Sequence, residues 1–202
     1  MTSEQTHDKI MEATHTALCK QGYGGLTMQD IANEAGKSKS LLHYHYDTKA
    51  DLLVTFIEHL LDDFEDRVAV TEDASSQDRL LSFIEWFIIE PHEDERAAFH
   101  LALLELRAQA AFNEAFSEQL RASDELLRET VASIIGEGID DGVFYDVEVE
   151  PLAAMIIATL DGARTRQITL STDWYTETVC TQLISALQTM LFVDSEVVTS
   201  RE

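Results

Sequence analysis

The chain's five lysines, Lys9, Lys20, Lys37, Lys39 and Lys49, all lie within the first 50 of its 202 residues, although its formal net charge is −24. Those first 50 residues carry 6 acids against the 5 lysines, while the remainder carries 32 acids against 9 arginines. Surface ammonium groups neutralise phosphate, and DNA affinity comes largely from that neutralisation. Cations kept in one segment of an otherwise acidic chain therefore mark where phosphates would lie. Three of them fall in "QDIANEAGKSKSLLHYHYDTKADLL", residues 29–53.

Other chemistry is weaker. His43-x-His45 invites a metal reading, but helical positions i and i+2 point about 200° apart and cannot hold one ion. Cys19 and Cys180 form neither a disulfide framework nor metal-ligand spacing, so a reduced, cytoplasmic protein is expected. With no phosphate-cradling glycine loop, nucleophile elbow or metal-ligand cluster, neither an enzyme nor a cofactor or metal is expected. Met1–Asp8 is too polar for a signal peptide. The longest uncharged run, residues 178–193, is too short and polar to cross a bilayer, so no membrane role is expected. The acidic, lysine-poor composition resembles that of salt-in halophile proteins, where molar salt screens repulsion beyond ~3 Å.

The elements that must position these side chains read as helices throughout, and no segment alternates as a strand would. Ile10, Ala13, Ala17 and Leu18 form a stripe ended by Gly22. Thr27-x-x-Asp30 is a capping-box start for a short helix with Met28, Ile31, Ala32 and Ala35 on one face. Gly36 suits the tight turn after it, and Ser38 caps a second short helix to about Tyr44. Thr48 caps a longer helix that places Leu52, Leu53, Phe56, Ile57, Leu60, Leu61 and Phe64 on one side. Residues 71–77 read as a loop. Helices follow at about 78–89, at 93–109 after Pro91, and at 113–141, with Gly142 as a C-terminal cap. "VFYDVEVE" reads as an extended connector, and Pro151 opens the next helix at its favoured first position. The last helix spans about 173–192, with a frayed tail from Asp194. The expected architecture is all-α: a helix-turn-helix domain over 1–47 and a larger helical domain over 48–202.

Two short helices joined by a glycine-containing turn match the helix-turn-helix, whose second helix enters the DNA major groove. Here the chain resembles the TetR family of one-component transcriptional regulators, through G-Y-x-G-L-T-M-x-D-I-A-x-x-A-G-x-S-K-S-L-L-H-Y-H-Y-D-T-K-A-D-L-L within about residues 6–54. "EGIDDGVFYDVEVEPLAAMIIATLDGA" is similar to the segment spanning that family's seventh and eighth helices. The resemblance implies an all-helical homodimer that binds a palindromic operator in double-stranded DNA and releases it when a small-molecule effector binds. It implies that Thr27 caps the second helix and meets a phosphate, and that Gln29 reaches a base edge. It puts Ser38, Lys39, Ser40 and Leu41 at the exposed start of the recognition helix, just after Lys37. His43, Tyr44 and His45 fall at that helix's phosphate- and base-contacting end, and Lys49 matches a phosphate-holding position. The chain departs from the family at Lys37, usually small and apolar, at Ser40, often Gly, and at His43, usually Tyr. The alternative, an adaptor that uses this motif for protein contacts without an operator, is disfavoured by the segregated lysines.

Beside these, Leu42 and Tyr46 read as core, while Leu41 could touch a thymine methyl. Lys9 and Lys20 are eleven residues apart and share a helix face, either flanking phosphates or solvated. Phe83, Trp86, Phe87, Phe99, His100, Leu103, Phe116 and Met155 are candidates for an apolar effector site with few polar anchors, against the plainer reading of ordinary core. Arg164 and Arg166, beside Asp161, read as ion pairs. Thr181, Gln182, Ser185, Gln188 and Thr189 form an uncharged face on the last helix. Ile156 and Leu160 lie in the uncharged run 151–160. Charge depletion on both predicts a twofold four-helix dimer interface.

Overall fold

The structure is a computed structural model that describes residues 3–70, 74–89 and 93–193. The expected tail from Asp194 lies outside the described residues. Among those residues the fold is all-α, with helices α1 (Ser3–Gly25), α2 (Met28–Glu34), α3 (Lys39–His45), α4 (Lys49–Val70), α5 (Ser76–Ile89), α6 (Glu93–Gln109), α7 (Glu114–Asp140), α8 (Val149–Leu170) and α9 (Tyr175–Met190). No helix among them is long and apolar enough to cross a membrane.

The chain divides into two compact units, Met1–Val68 with Pro91–Ser123 and Ala69–Glu90 with Asp124–Glu202. The unit that holds the helix-turn-helix also takes in most of α4 and all of α6. Its core explains why. Ile10 and Leu18 of α1, Ile31 of α2, Leu42 of α3, and Leu52, Leu53 and Phe56 of α4 are buried in one cluster with Phe99, Ala102 and Leu106 of α6 and Phe116 of α7. The short helices α2 and α3 are too brief to be stable alone. They are held by burying one apolar face, each such side chain stabilising by ~1.5–3 kcal/mol.

Local chemistry sets where these helices begin. Thr27 accepts from Asp30 N at 3.2 Å and its own N–H donates to Asp30 Oδ2 at 2.9 Å, the expected capping box. Thr48 and Asp51 repeat it at α4, with Asp51 N to Thr48 Oγ1 at 3.1 Å and Thr48 N to Asp51 Oδ2 at 2.9 Å. Gly36 turns the chain between α2 and α3 at φ 61°. Gly22 does not end α1 but kinks it, at φ 63°. The kink takes Tyr23 N–H out of the helical pattern, and that group donates to Glu105 Oε2 of α6 at 2.5 Å.

In the second unit α8 packs on α9, and α5 packs on both. Its buried side chains include Leu80 and Ile84 of α5, Ile134 and Ile135 of α7, Leu152, Ile156, Ile157 and Leu160 of α8, and Leu183 and Leu187 of α9. Gly142 closes α7 at φ 70°, and a non-helical connector runs from Val143 to Glu148. It forms one antiparallel bridge between Phe144 and Phe192, whose rings stack at 5.1 Å. A Cβ at Gly138 would overlap the Phe144 ring, so only glycine fits there.

Two boundaries differ from expectation. α5 begins at Ser76, inside the predicted loop, because Ser75 Oγ caps Asp78 N at 3.1 Å. α8 begins at Val149, two residues before Pro151. Proline is tolerated anywhere in a first turn, where the N–H groups lack intrahelical partners, so its position fixes a helix start only loosely.

Candidate nucleic-acid interface

On α2, Met28, Ile31 and Ala32 face the core. Helical spacing therefore turns Gln29 and Asn33 outward, and both are exposed. Gln29 Nε2 donates to Asn33 Oδ1 at 2.8 Å. Asn33 was not singled out from sequence, although its i+4 spacing from Gln29 is a usable signal. Thr27 is exposed, but its hydroxyl donates to Asp30 Oδ2 at 2.5 Å, so a phosphate would compete with an existing acceptor for that proton. Glu34, at the end of α2, pairs with Lys20 at 2.8 Å. Lys20 thus has an acid partner within the chain, in a pair that is itself partly exposed.

α3 is anchored by Leu42, the one buried residue of its seven. Ser38 caps it, accepting from Leu41 N at 3.2 Å. Lys39, Ser40, His43, Tyr44 and His45 are exposed, Leu41 and Lys37 half-buried. Tyr44 is 82% exposed, with its ring edge-on to His45 at 5.1 Å. No carboxylate among the described residues pairs with Lys37 or Lys39. Tyr46 is part-buried as expected, its hydroxyl 3.4 Å from His7 Nδ1, and burial raises its pKa.

Lys49 sits differently from the free cation that a phosphate contact suggests. Its Nζ donates to the carbonyls of Tyr23 and Leu26 at 2.8 and 2.9 Å. It also stands 4.3 Å above the centre of the Tyr23 ring. Burial lowers its pKa, while the Glu105 carboxylate opposes that shift. Tyr23 meets Phe116 edge-on at 6.2 Å. Lys49, Tyr23 and Glu105 thus tie the first turn of α4 to the kink of α1 and to α6. Glu105 is 82 residues from Tyr23, and no local signal exposes such a pairing.

The effector candidates fall in both units. Phe99, Leu103 and Phe116 belong to the core around α1 and α4, Leu103 at its edge, which favours the plainer reading for these three. His100 is buried, and its ring lies 5.6 Å from that of Phe99. Phe83, Trp86 and Phe87 form an aromatic group on α5 with ring centres 6.0–6.2 Å apart. Arg164 covers Phe87 at 4.0 Å and pairs with Asp161 at 3.0 Å, so that ion pair lies within one chain. Arg166 bonds to the Gly162 carbonyl instead. Met155 is 45% exposed, on the same outer side of α8 as Ala154 and Ala158.

For the candidate dimer face, Thr181, Gln182, Ser185, Gln188 and Thr189 are exposed. Ile156 and Leu160 are not, at 0% and 1% exposure, because they face the chain's own core. The uncharged run could not tell which side of α8 is covered from within. Its outer side is made by Ala154, Met155 and Ala158.

A capped α2, a glycine turn and a polar α3 held by one leucine define a DNA-binding regulator of the helix-turn-helix class. Comparison with known proteins agrees. Residues 10–55 match the bacterial regulatory proteins, tetR family, and residues 76–191 match the BetI-type transcriptional repressor, C-terminal. A TetR transcription regulator from Haloarcula marismortui ATCC 43049 is 38% identical with a TM-score of 0.85, over 93% of this chain and 99% of that one. The chain belongs to the TetR family of transcriptional regulators. The biofilm operon icaADBC negative regulator IcaR of Staphylococcus epidermidis is 32% identical over 87 residues, 43% of this chain and 47% of that protein. The chain therefore spans about half the length of the curated relatives it matches. A regulator from Saccharomonospora viridis in complex with choline shares the fold, with a TM-score of 0.81 at 21% identity over 95% of this chain and 100% of that one.

Proposed function

We propose that this chain is a ligand-responsive repressor that holds a palindromic operator as a homodimer and releases it when a small apolar, aromatic or acyl-chain molecule binds. The observation that carries the reading is α3, a helix with five exposed polar or aromatic residues between Lys39 and His45 and a single buried anchor. In a chain this acidic, such a helix fits a groove walled by phosphates. Half-sites on one face of the duplex lie about 34–36 Å apart, so moving the two α3 helices by a few Å abolishes the fit.

Dimerisation is supported by the exposed, uncharged face of α9 together with Ala154, Met155 and Ala158 of α8. Depletion of charge is what the centre of an interface requires. The effector class rests on this chain's own aromatic group on α5, Phe83, Trp86 and Phe87. Choline is the ligand of a relative whose likeness extends to the fold alone. We also read the acidic surface as suited to molar salt in a cytoplasm.

The test is a gel shift with the full chain and its own upstream DNA in molar potassium chloride, followed by mass spectrometry of co-purified small molecules. A sequence-specific shift reversed by the identified molecule is expected. A shift with no sequence preference would replace this reading with the adaptor.

A further inference from the structure

Gln29 and Asn33 stand one helical turn apart on the exposed side of α2, joined by Gln29 Nε2 to Asn33 Oδ1 at 2.8 Å. A glutamine amide has two N–H donors and one carbonyl acceptor. Free to rotate, it can offer an acceptor–donor pair, or turn both N–H groups outward as a pair of donors. The bond to Asn33 consumes one N–H. What remains is one donor beside one acceptor.

In the major groove adenine presents an acceptor at N7 beside a donor at N6, and this complements the remaining pair. Guanine presents two acceptors, N7 and O6. The tethered amide meets guanine with its carbonyl oxygen against O6, and the double-donor arrangement that would relieve this is taken by Asn33. We infer that Asn33 is a positioning residue that holds the Gln29 amide as a reader of adenine and sets it against guanine at one operator position. The inference rests on the DNA reading proposed above.

The surroundings of the pair are compatible with this role. Asp30, the nearest acid on α2, is engaged by Thr27, and Glu34 is engaged by Lys20 at 2.8 Å. Both carboxylates thus have partners other than the amide. Asn33 also makes no contribution to the buried face of α2, which is Met28, Ile31 and Ala32. Replacing it with alanine raises helix propensity, so lost discrimination cannot be assigned to a weakened helix.

The experiment begins by selecting an operator from a random duplex pool with the full chain. Affinities are then measured by fluorescence anisotropy for every single-base variant. The proteins are the parent, Gln29→Ala, Asn33→Ala, the double variant, and Asn33→Asp, which keeps an acceptor for the amide. At the position where Gln29→Ala loses its preference, the parent should favour adenine over guanine by about 5- to 150-fold, the range of a good bidentate contact. Asn33→Ala should lose most of that ratio at the same position alone, and the double variant should lose no more than Gln29→Ala does. Asn33→Asp should keep the ratio while its added charge weakens all DNA sequences alike. Full retention of the ratio in Asn33→Ala overturns the inference, as does an operator carrying guanine at that position. A pool that enriches no sequence overturns the DNA reading itself.

Discussion

Replacing Lys49 with methionine separates two roles for the same ammonium. The structure gives it two carbonyl acceptors, Tyr23 O at 2.8 Å and Leu26 O at 2.9 Å, and the Tyr23 ring at 4.3 Å. A hydrogen bond from a charged donor contributes ~1.5–3 kcal/mol when dry. Lys49 is only part-buried and water can replace it, so about 1 kcal/mol for each is a fair discount. The ring contact adds ~0.5–1 kcal/mol. The loss is then about 2–3 kcal/mol, which for a chain of this size lowers the melting midpoint by about 5–10 °C. Lys39→Ala is the control, an exposed α3 lysine outside the core. It should leave the melt unchanged but reduce the slope of log affinity against log salt by about 0.9 per protomer, the effect of one phosphate. Lys49→Met should do the opposite, with a lower midpoint and a slope within about 0.3 of the parent. Calorimetry and anisotropy titrations over a salt series measure both quantities on the same samples. A Lys49→Met protein that melts like the parent and loses a full unit of slope would show that Lys49 serves DNA and not the α1–α4–α6 tie.

Three further outcomes can be checked. Gly138→Ala should cost about 3 kcal/mol by thermal melt, because its Cβ overlaps the Phe144 ring, and Phe144→Ala should recover part of that cost in the double variant. Gln182→Glu with Ser185→Glu brings four like charges across the proposed twofold axis, and light scattering in molar salt should report monomers. Glu137 is held below its ordinary pKa of 4.5, first by a hydrogen bond from Ser133 and then by Arg79. Its contribution to stability is therefore complete above that value and lost as pH falls through the depressed one. Ser133→Ala should move the Glu137 titration, followed by carboxylate NMR, toward 4.5.

The sequence predicted best what neighbouring residues decide. The capping box at Thr27, the Thr48 and Ser38 caps and the Gly36 turn each involve groups within three or four positions, so α2, α3 and the start of α4 were legible. The Ser75 cap was legible in principle, but a run of small polar residues resembles a loop until its hydrogen bonds are seen. Lys49 was out of reach, because its acceptors are 26 and 23 residues away. A lysine in sequence carries its charge but not its direction. The same limit applied to α8, where an uncharged run announced two covered sides without saying that Ile156 and Leu160 belong to the inner one. Phe99 and Phe116 read as pocket or core alike, since both uses demand the same residue types.

Two of the five lysines have partners inside the chain, Lys20 in Glu34 and Lys49 in the carbonyls of Tyr23 and Leu26. Among the described residues that leaves Lys9, Lys37 and Lys39, a small electrostatic footprint for a DNA-binding surface. A protein that grips through many phosphates has its preferences buried under indiscriminate attraction in dilute buffer, and loses its grip in brine. With so few counterions to displace, this one has little of either to lose. On the operator reading proposed above, its choice among sequences would rest on short-range complementarity, which ionic strength hardly touches. The order in which it ranks operators should thus be a property of the protein rather than of the solution around it.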